Sequence, residues 1–69
     1  MKILNNILTE FAQDPANAHS TFVWGRNRFK LSFDWDTEEI TVLNTITWDV
    51  VCESACLNTL ATAIHAHRR

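Results

Sequence analysis

The stretch FKLSFDWDTEEITVLN, Phe29 to Asn44, decides how this chain folds. Phe29, Leu31, Phe33 and Trp35 alternate with Lys30, Ser32 and Asp34, the two-residue period of a strand with one buried face. Asp36-Thr37-Glu38-Glu39 breaks the pattern. Residues 39–46 then resume it, with Ile40 and Val42 on one face and Thr41, Leu43 and Thr45 on the other. The pair reads as an antiparallel hairpin with Trp35 opposite Ile40 and Phe33 opposite Val42 across a four-residue turn. That register gathers the bulky residues on one side, and a slip of one residue would turn four of them into water.

Reading upstream, residues 20–24 (STFVW) alternate and are rich in β-branched and aromatic types, and Gly25-Arg26-Asn27 is a turn signal. Residues 2–13 carry Ile3, Leu4, Ile7, Leu8 and Phe11 as one stripe of a short amphipathic helix. Pro15 disfavours a helical residue before it and ends that helix, leaving residues 14–19 as a loop. Downstream of Asp49, the residues Val50, Ser54, Leu57, Leu60, Ala61 and Ile64 follow helical spacing. A helix over about residues 49–66 is predicted, with Asp49 or Thr47 as cap and Arg68 and Arg69 suited to the negative end of its dipole. The whole is a single α+β domain over residues 1–69, ordered α-β-β-β-α. It is a three-stranded antiparallel meander with two helices packed on one face. The apolar sheet face consists of Phe22, Trp24, Phe29, Leu31, Phe33, Trp35, Ile40 and Val42.

A chain of 69 residues buries only about 60% of the surface its unfolded form exposes, so its core is thin and each large side chain counts. Its 46% hydrophobic and 20% charged residues describe a folded rather than a disordered chain. The net charge of −2 lacks the positive excess of a nucleic-acid binder. Asn5 and Asn6 interrupt the N-terminal apolar run, which does not read as a signal peptide, and no run approaches the roughly 18 residues of a membrane span. Two cysteines are too few for a disulfide-stapled secreted domain. A cytoplasmic protein that keeps its first residues is the expectation.

Chemistry-bearing residues are sparse. Cys52 and Cys56, four apart on the predicted helix, share a face, but His65 and His67 stand too far along it to complete a metal site. No metal ligand set, cofactor or catalytic residue is assigned. A single Gly excludes a glycine-rich phosphate loop, and the nucleophile-elbow and paired-His metal motifs are absent. So short a chain is also expected not to build a pocket of about 300 Å³ or more. Asp34, Asp36, Glu38 and Glu39 make an acidic tip at one end of the second strand, while Arg26, Arg28 and Lys30 make a basic one at the other. Three Trp exceed what such an interior encloses with every indole N–H paired, so at least one is expected to be partly exposed.

These features point to a small protein-binding module. It is expected to act as an inhibitor or regulator, of the size seen among phage and mobile-element proteins, by docking on another protein. Its expected contact residues are Asp34, Asp36, Glu38, Glu39, Trp35 and Trp48. An alternative is a homodimeric nucleic-acid-binding regulator that uses Arg26, Arg28 and Lys30, with bases stacked on Trp24 and Phe29. Homo-oligomerisation is a further option for a chain with so thin a core.

Overall fold

The computed structural model describes residues 2–67, and Lys2 by its backbone alone. Arg68 and Arg69, expected to close the last helix, lie outside the described residues. The element order is α1 (Lys2–Gln13), β1 (Thr21–Trp24), β2 (Asn27–Asp34), β3 (Glu39–Asn44), β4 (Asp49–Ser54) and α2 (Leu57–Ala66). The four strands form one antiparallel meander in the order β1-β2-β3-β4. No helix among the described residues is long and apolar enough to cross a membrane.

The first helix and the β2–β3 hairpin follow from their periodicity. Leu4, Leu8 and Phe11 of α1 are buried, as are Phe29 and Leu31 of β2 and Ile40 and Val42 of β3. Leu60, Ala61 and Ile64 of α2 complete the same cluster, so both helices cover one face of the sheet. Phe22, Trp24 and Phe33 pack against its edge. Ile3, although on the apolar stripe of α1, is exposed.

The C-terminal part differs from the single helix expected over residues 49–66. Residues 49–54 are a fourth strand, and the helix begins only at Leu57. The helical spacing of Val50 and Ser54 with Leu57 and Leu60 is accidental. Val50 and Val51 are β-branched and favour extended backbone. β3 is buried through Ile40, Val42 and Asn44, and the backbone groups along its second edge require partners. β4 supplies them, in the pairs Ile40↔Ser54, Thr41↔Glu53, Val42↔Cys52, Leu43↔Val50 and Asn44↔Asp49. The register shifts between Val42 and Leu43, leaving Val51 as the extra residue of a bulge that packs against the core while Val50 is exposed.

The β2–β3 register also differs from the sequence reading. Phe33 faces Ile40, Leu31 faces Val42 and Asp34 faces Glu39. The shift is two residues, so every side chain stays on its expected face, but Trp35 leaves the strand for the loop.

The reason lies in the loop chemistry. An Asp34 carboxylate oxygen accepts the N–H groups of Asp36 (2.9 Å) and Thr37 (3.4 Å). The N–H of Glu38 donates to the Asp34 carbonyl at 2.7 Å, closing a turn of one helical pitch. Glu38 ends the loop with φ 59°.

The β3–β4 loop repeats this construction. The Asn44 side-chain oxygen accepts from Ile46 (2.9 Å) and Thr47 (3.4 Å). Trp48 N–H donates to the Asn44 carbonyl at 2.7 Å, and Trp48 has φ 63°. In both loops an Asp or Asn ends the incoming strand, and the fourth loop residue is left-handed. β1 and β2 are joined more tightly, through Gly25 and Arg26. The positive φ of Gly25 (63°) with none at Arg26 matches a turn of type II′.

Asn44 carries more than its turn. Its side chain is 4% exposed on the core face of β3. Its amide nitrogen donates to the Asn27 side-chain oxygen at 3.2 Å, and the Asn27 amide donates to the carbonyl of His67 just past α2. One buried amide thus links the start of β2, the β3–β4 loop and the end of α2. Removing it strands buried donors and acceptors, which costs about 1–3 kcal/mol. Asn44→Ala should therefore lower stability by about 2 kcal/mol in urea unfolding, and Asp34→Ala, at an exposed copy of the same turn, by about 1 kcal/mol or less. Equal losses would show that the network beyond the turn contributes nothing.

Candidate functional site

In a meander the loops alternate between the two ends of the sheet. The β2–β3 loop (residues 35–38) therefore lies at one end, and the β1–β2 turn and β3–β4 loop (residues 45–48) lie at the other. This geometry divides the residues proposed from sequence. Asp34, Trp35, Asp36, Glu38 and Glu39 come together. Trp48 stands at the opposite end, where Arg26 is also found. Trp48, which directly precedes the helix predicted from residue 49, lies instead in a loop between two strands, because β4 intervenes.

At the acidic end, Asp34 is occupied in turn formation, while Asp36 and Glu38 are exposed and Glu39 is half-buried. Trp35 is 69% exposed. Its ring meets Phe33 edge-on, with centroids 4.7 Å apart and planes at 72°, so one side leans on the core edge and the other is open to solvent.

At the other end, Trp48 is 73% exposed and Ile46 and Val50, two residues to either side, are exposed as well. Trp48 is an expected contact residue; the exposure of Ile46 and Val50 beside it in the sequence is the part that the sequence reading misses, because it places residues 49–54 in a helix. The spacing Asn44…Asp49, matching Asp34…Glu39, is the signal that marks this loop in the sequence. A left-handed conformation costs a non-glycine residue about 1–2 kcal/mol, and for a bulky residue it is an outlier. The Trp48 ring makes no ring–ring contact with another described aromatic that would offset this.

The outward face of the sheet follows from the pairing. It carries Thr21 and Val23 on β1, Arg28, Lys30, Ser32 and Asp34 on β2, Glu39, Thr41 and Leu43 on β3, and Val50 and Glu53 on β4. Neither helix covers it. Phe29, between Arg28 and Lys30, is fully buried, and Trp24 is turned to the core side, its ring tilted 57° against His65 with centroids 6.3 Å apart. The basic hairpin thus presents cations on one face and its rings on the other. The buried indole N–H of Trp24 has no hydrogen-bond partner among the described residues.

Cys52 and Cys56 do not share a helix face. Cys52 is in β4, and Cys56 is the N-cap of α2, with φ −90° and ψ 115°. Both are free thiols. The Cys56 thiol faces the Thr59 hydroxyl first, then the N–H groups of Thr59 and Asn58. The dipoles of these neighbouring groups favour the thiolate and lower the pKa from the ordinary thiol value, although no side-chain hydrogen bond caps the helix here. Among the described residues, no three His, Cys, Asp or Glu side chains come together to hold a metal ion. Contrary to expectation, an open cleft of about 340 Å³ does form between the sheet and the end of α2. It is lined in part by Asn27 and Asn44, whose amides are engaged in the network described above.

Comparison with known proteins returns no match, whether among family models, curated proteins or solved structures.

Two measurements follow from this geometry. Trp48→Gly removes the left-handed strain and loses little buried area, at the cost of a more flexible unfolded chain. A net gain of about 0.5–1 kcal/mol is expected in urea unfolding, and a loss would mean that the ring stabilises the fold. In timed alkylation at neutral pH read by mass spectrometry, Cys56 should react well ahead of Cys52, and Thr59→Val should narrow the difference. Equal rates would contradict the thiolate assignment.

Proposed function

We propose that this chain is a small non-enzymatic protein-binding module, an inhibitor or regulator that docks on a partner protein with Trp48 as its anchor. The observation that carries this reading is the state of Trp48, which is large, apolar, open to solvent and in a backbone conformation that costs energy. Strain kept at an exposed position without a compensating contact accompanies binding more often than folding. Trp is also among the residues enriched at the energetic centres of interfaces. Ile46 and Val50 widen the apolar contact, and the partner surface is an apolar cleft that takes the indole.

The acidic loop, with Asp36, Glu38, Glu39 and Trp35, acts at the other end of the sheet. There its charge steers encounter with a basic region of the partner and sets the rate of association. The free Cys52 and Cys56 accord with a reducing cytoplasmic setting.

The test is a pull-down of the partner from lysate, followed by affinity measurements with three forms of the chain. Trp48→Gly should weaken binding by about 30-fold or more, a loss of about 2 kcal/mol, while the domain stays folded. The triple variant D36K/E38K/E39K should slow association and remove its salt dependence. A partner held equally well by the Trp48→Gly form would overturn the assignment of the anchor.

A further inference from the structure

The outward face of the sheet sorts its charges by position along the strands. Arg28 and Lys30 lie towards the end that carries Trp48. Asp34, Glu39 and Glu53 lie towards the end that carries Trp35. None of these five side chains forms an ion pair with another described residue. Between the two groups run Ser32 and Thr41, small and polar. The pair Leu43–Val50 gives the face an apolar patch, and Val50 and Val23 are exposed on it.

We infer that this face binds the same face of a second copy of the chain, about a two-fold axis lying in the interface and perpendicular to the strands. The charge pattern selects that axis. Rotation about it lays β2 on β2 in opposite directions, so Arg28 and Lys30 of each copy meet the acidic end of the other. Rotation about an axis along the strands would instead lay basic end on basic end and acidic end on acidic end, a repulsion of several like charges. The arrangement is isologous, as a closed dimer requires. It completes a sandwich of two aligned sheets about 10 Å apart, each backed by its own helices.

The face measures about 20 Å along six-residue strands by about 19 Å across four of them. Side-chain relief brings it towards the ~600 Å² per partner of a small specific interface, with the Trp48 loop outside it. The dimer is therefore a reversible one. It also has a consequence for the binding reading, although it does not depend on it. The Trp48 loop of one copy and the acidic loop of the other fall at the same end of the assembly, so contact residues that one chain holds apart are placed side by side by two.

The test is sedimentation equilibrium of the full chain from micromolar to about millimolar concentration. The wild type should show a monomer–dimer equilibrium that weakens at least about tenfold between 50 mM and 1 M NaCl, because the contacts are charged and only partly buried. R28E/K30E, which makes the face acidic, and E39K/E53K, which makes it basic, should each dimerise at least about 100-fold more weakly. An equimolar mixture of the two variants should form a heterodimer. A wild type that stays monomeric throughout overturns the inference, as does a dimer that neither variant weakens. Two monomeric variants that do not pair when mixed overturn this charged face as the contact. The salt dependence of the wild type decides the matter without a variant, should either one fail to fold. Trp48 is untouched in both, so partner capture through that loop is read independently.

Discussion

The amide of Asn44 is the constraint on which the second half of the molecule depends. It is the one polar side chain among the described residues that is buried in the core, and both of its polar atoms are engaged. Its oxygen turns the chain out of β3 and back along the same edge, which makes β4 possible. Its nitrogen holds Asn27, and Asn27 holds the carbonyl past the end of α2. A buried amide is tolerable only when satisfied. The position of the loop, the start of β2 and the end of the last helix are therefore decided together.

The two four-residue loops show how similar chemistry serves different ends. Both begin with an Asp or Asn that caps two N–H groups, and both end with a left-handed residue. In the first that residue is Glu38, charged and exposed. In the second it is Trp48, for which the conformation is costly. Nothing in the core requires an indole there. That mismatch between what the loop wants and what occupies it is the strongest functional indication in the chain. It gains weight from Ile46 and Val50, which are exposed two residues to either side.

The sheet has one face committed to the core and one left to solvent. In a chain of this size the committed face consumes most of the large apolar residues, so the open face is built from Thr, Ser and charges with only Val23, Leu43 and Val50 added. The polarity of that face is ordinary for a half-buried sheet. The segregation of its charges along the strand direction is the feature with consequences, since it distinguishes one mode of face-to-face contact from another.

The helix over residues 2–13, the alternation from Phe29 to Ile40, the single apolar sheet face and the end-to-end charge gradient were legible in the sequence. Each rests on a local period or on which residues are adjacent along one strand. Trp35 was assigned to the right face but the wrong element, because the choice between two registers two residues apart falls to the Asp34 turn rather than to the pattern. The fourth strand is marked in the sequence only by the Asn44…Asp49 spacing and the β-branched Val50 and Val51, against a competing helical period. Val50, Ser54, Leu57 and Leu60 satisfy a helical period by coincidence, and the unpaired edge of β3 and the capping amide of Asn44 tip the balance to the extended form. The separation of Trp35 from Trp48 follows from that fourth strand. The sequence by itself determined most of the core, from Leu4, Leu8 and Phe11 through Phe29, Leu31, Ile40 and Val42 to Leu60, Ala61 and Ile64, because burial there follows composition and period, while Ile3, Trp35, Asn44 and Val50 depart from it. Which exposed residues stand together was decided only by the tertiary structure, because pairing partners and loop ends are chosen by hydrogen bonds between segments distant in the chain.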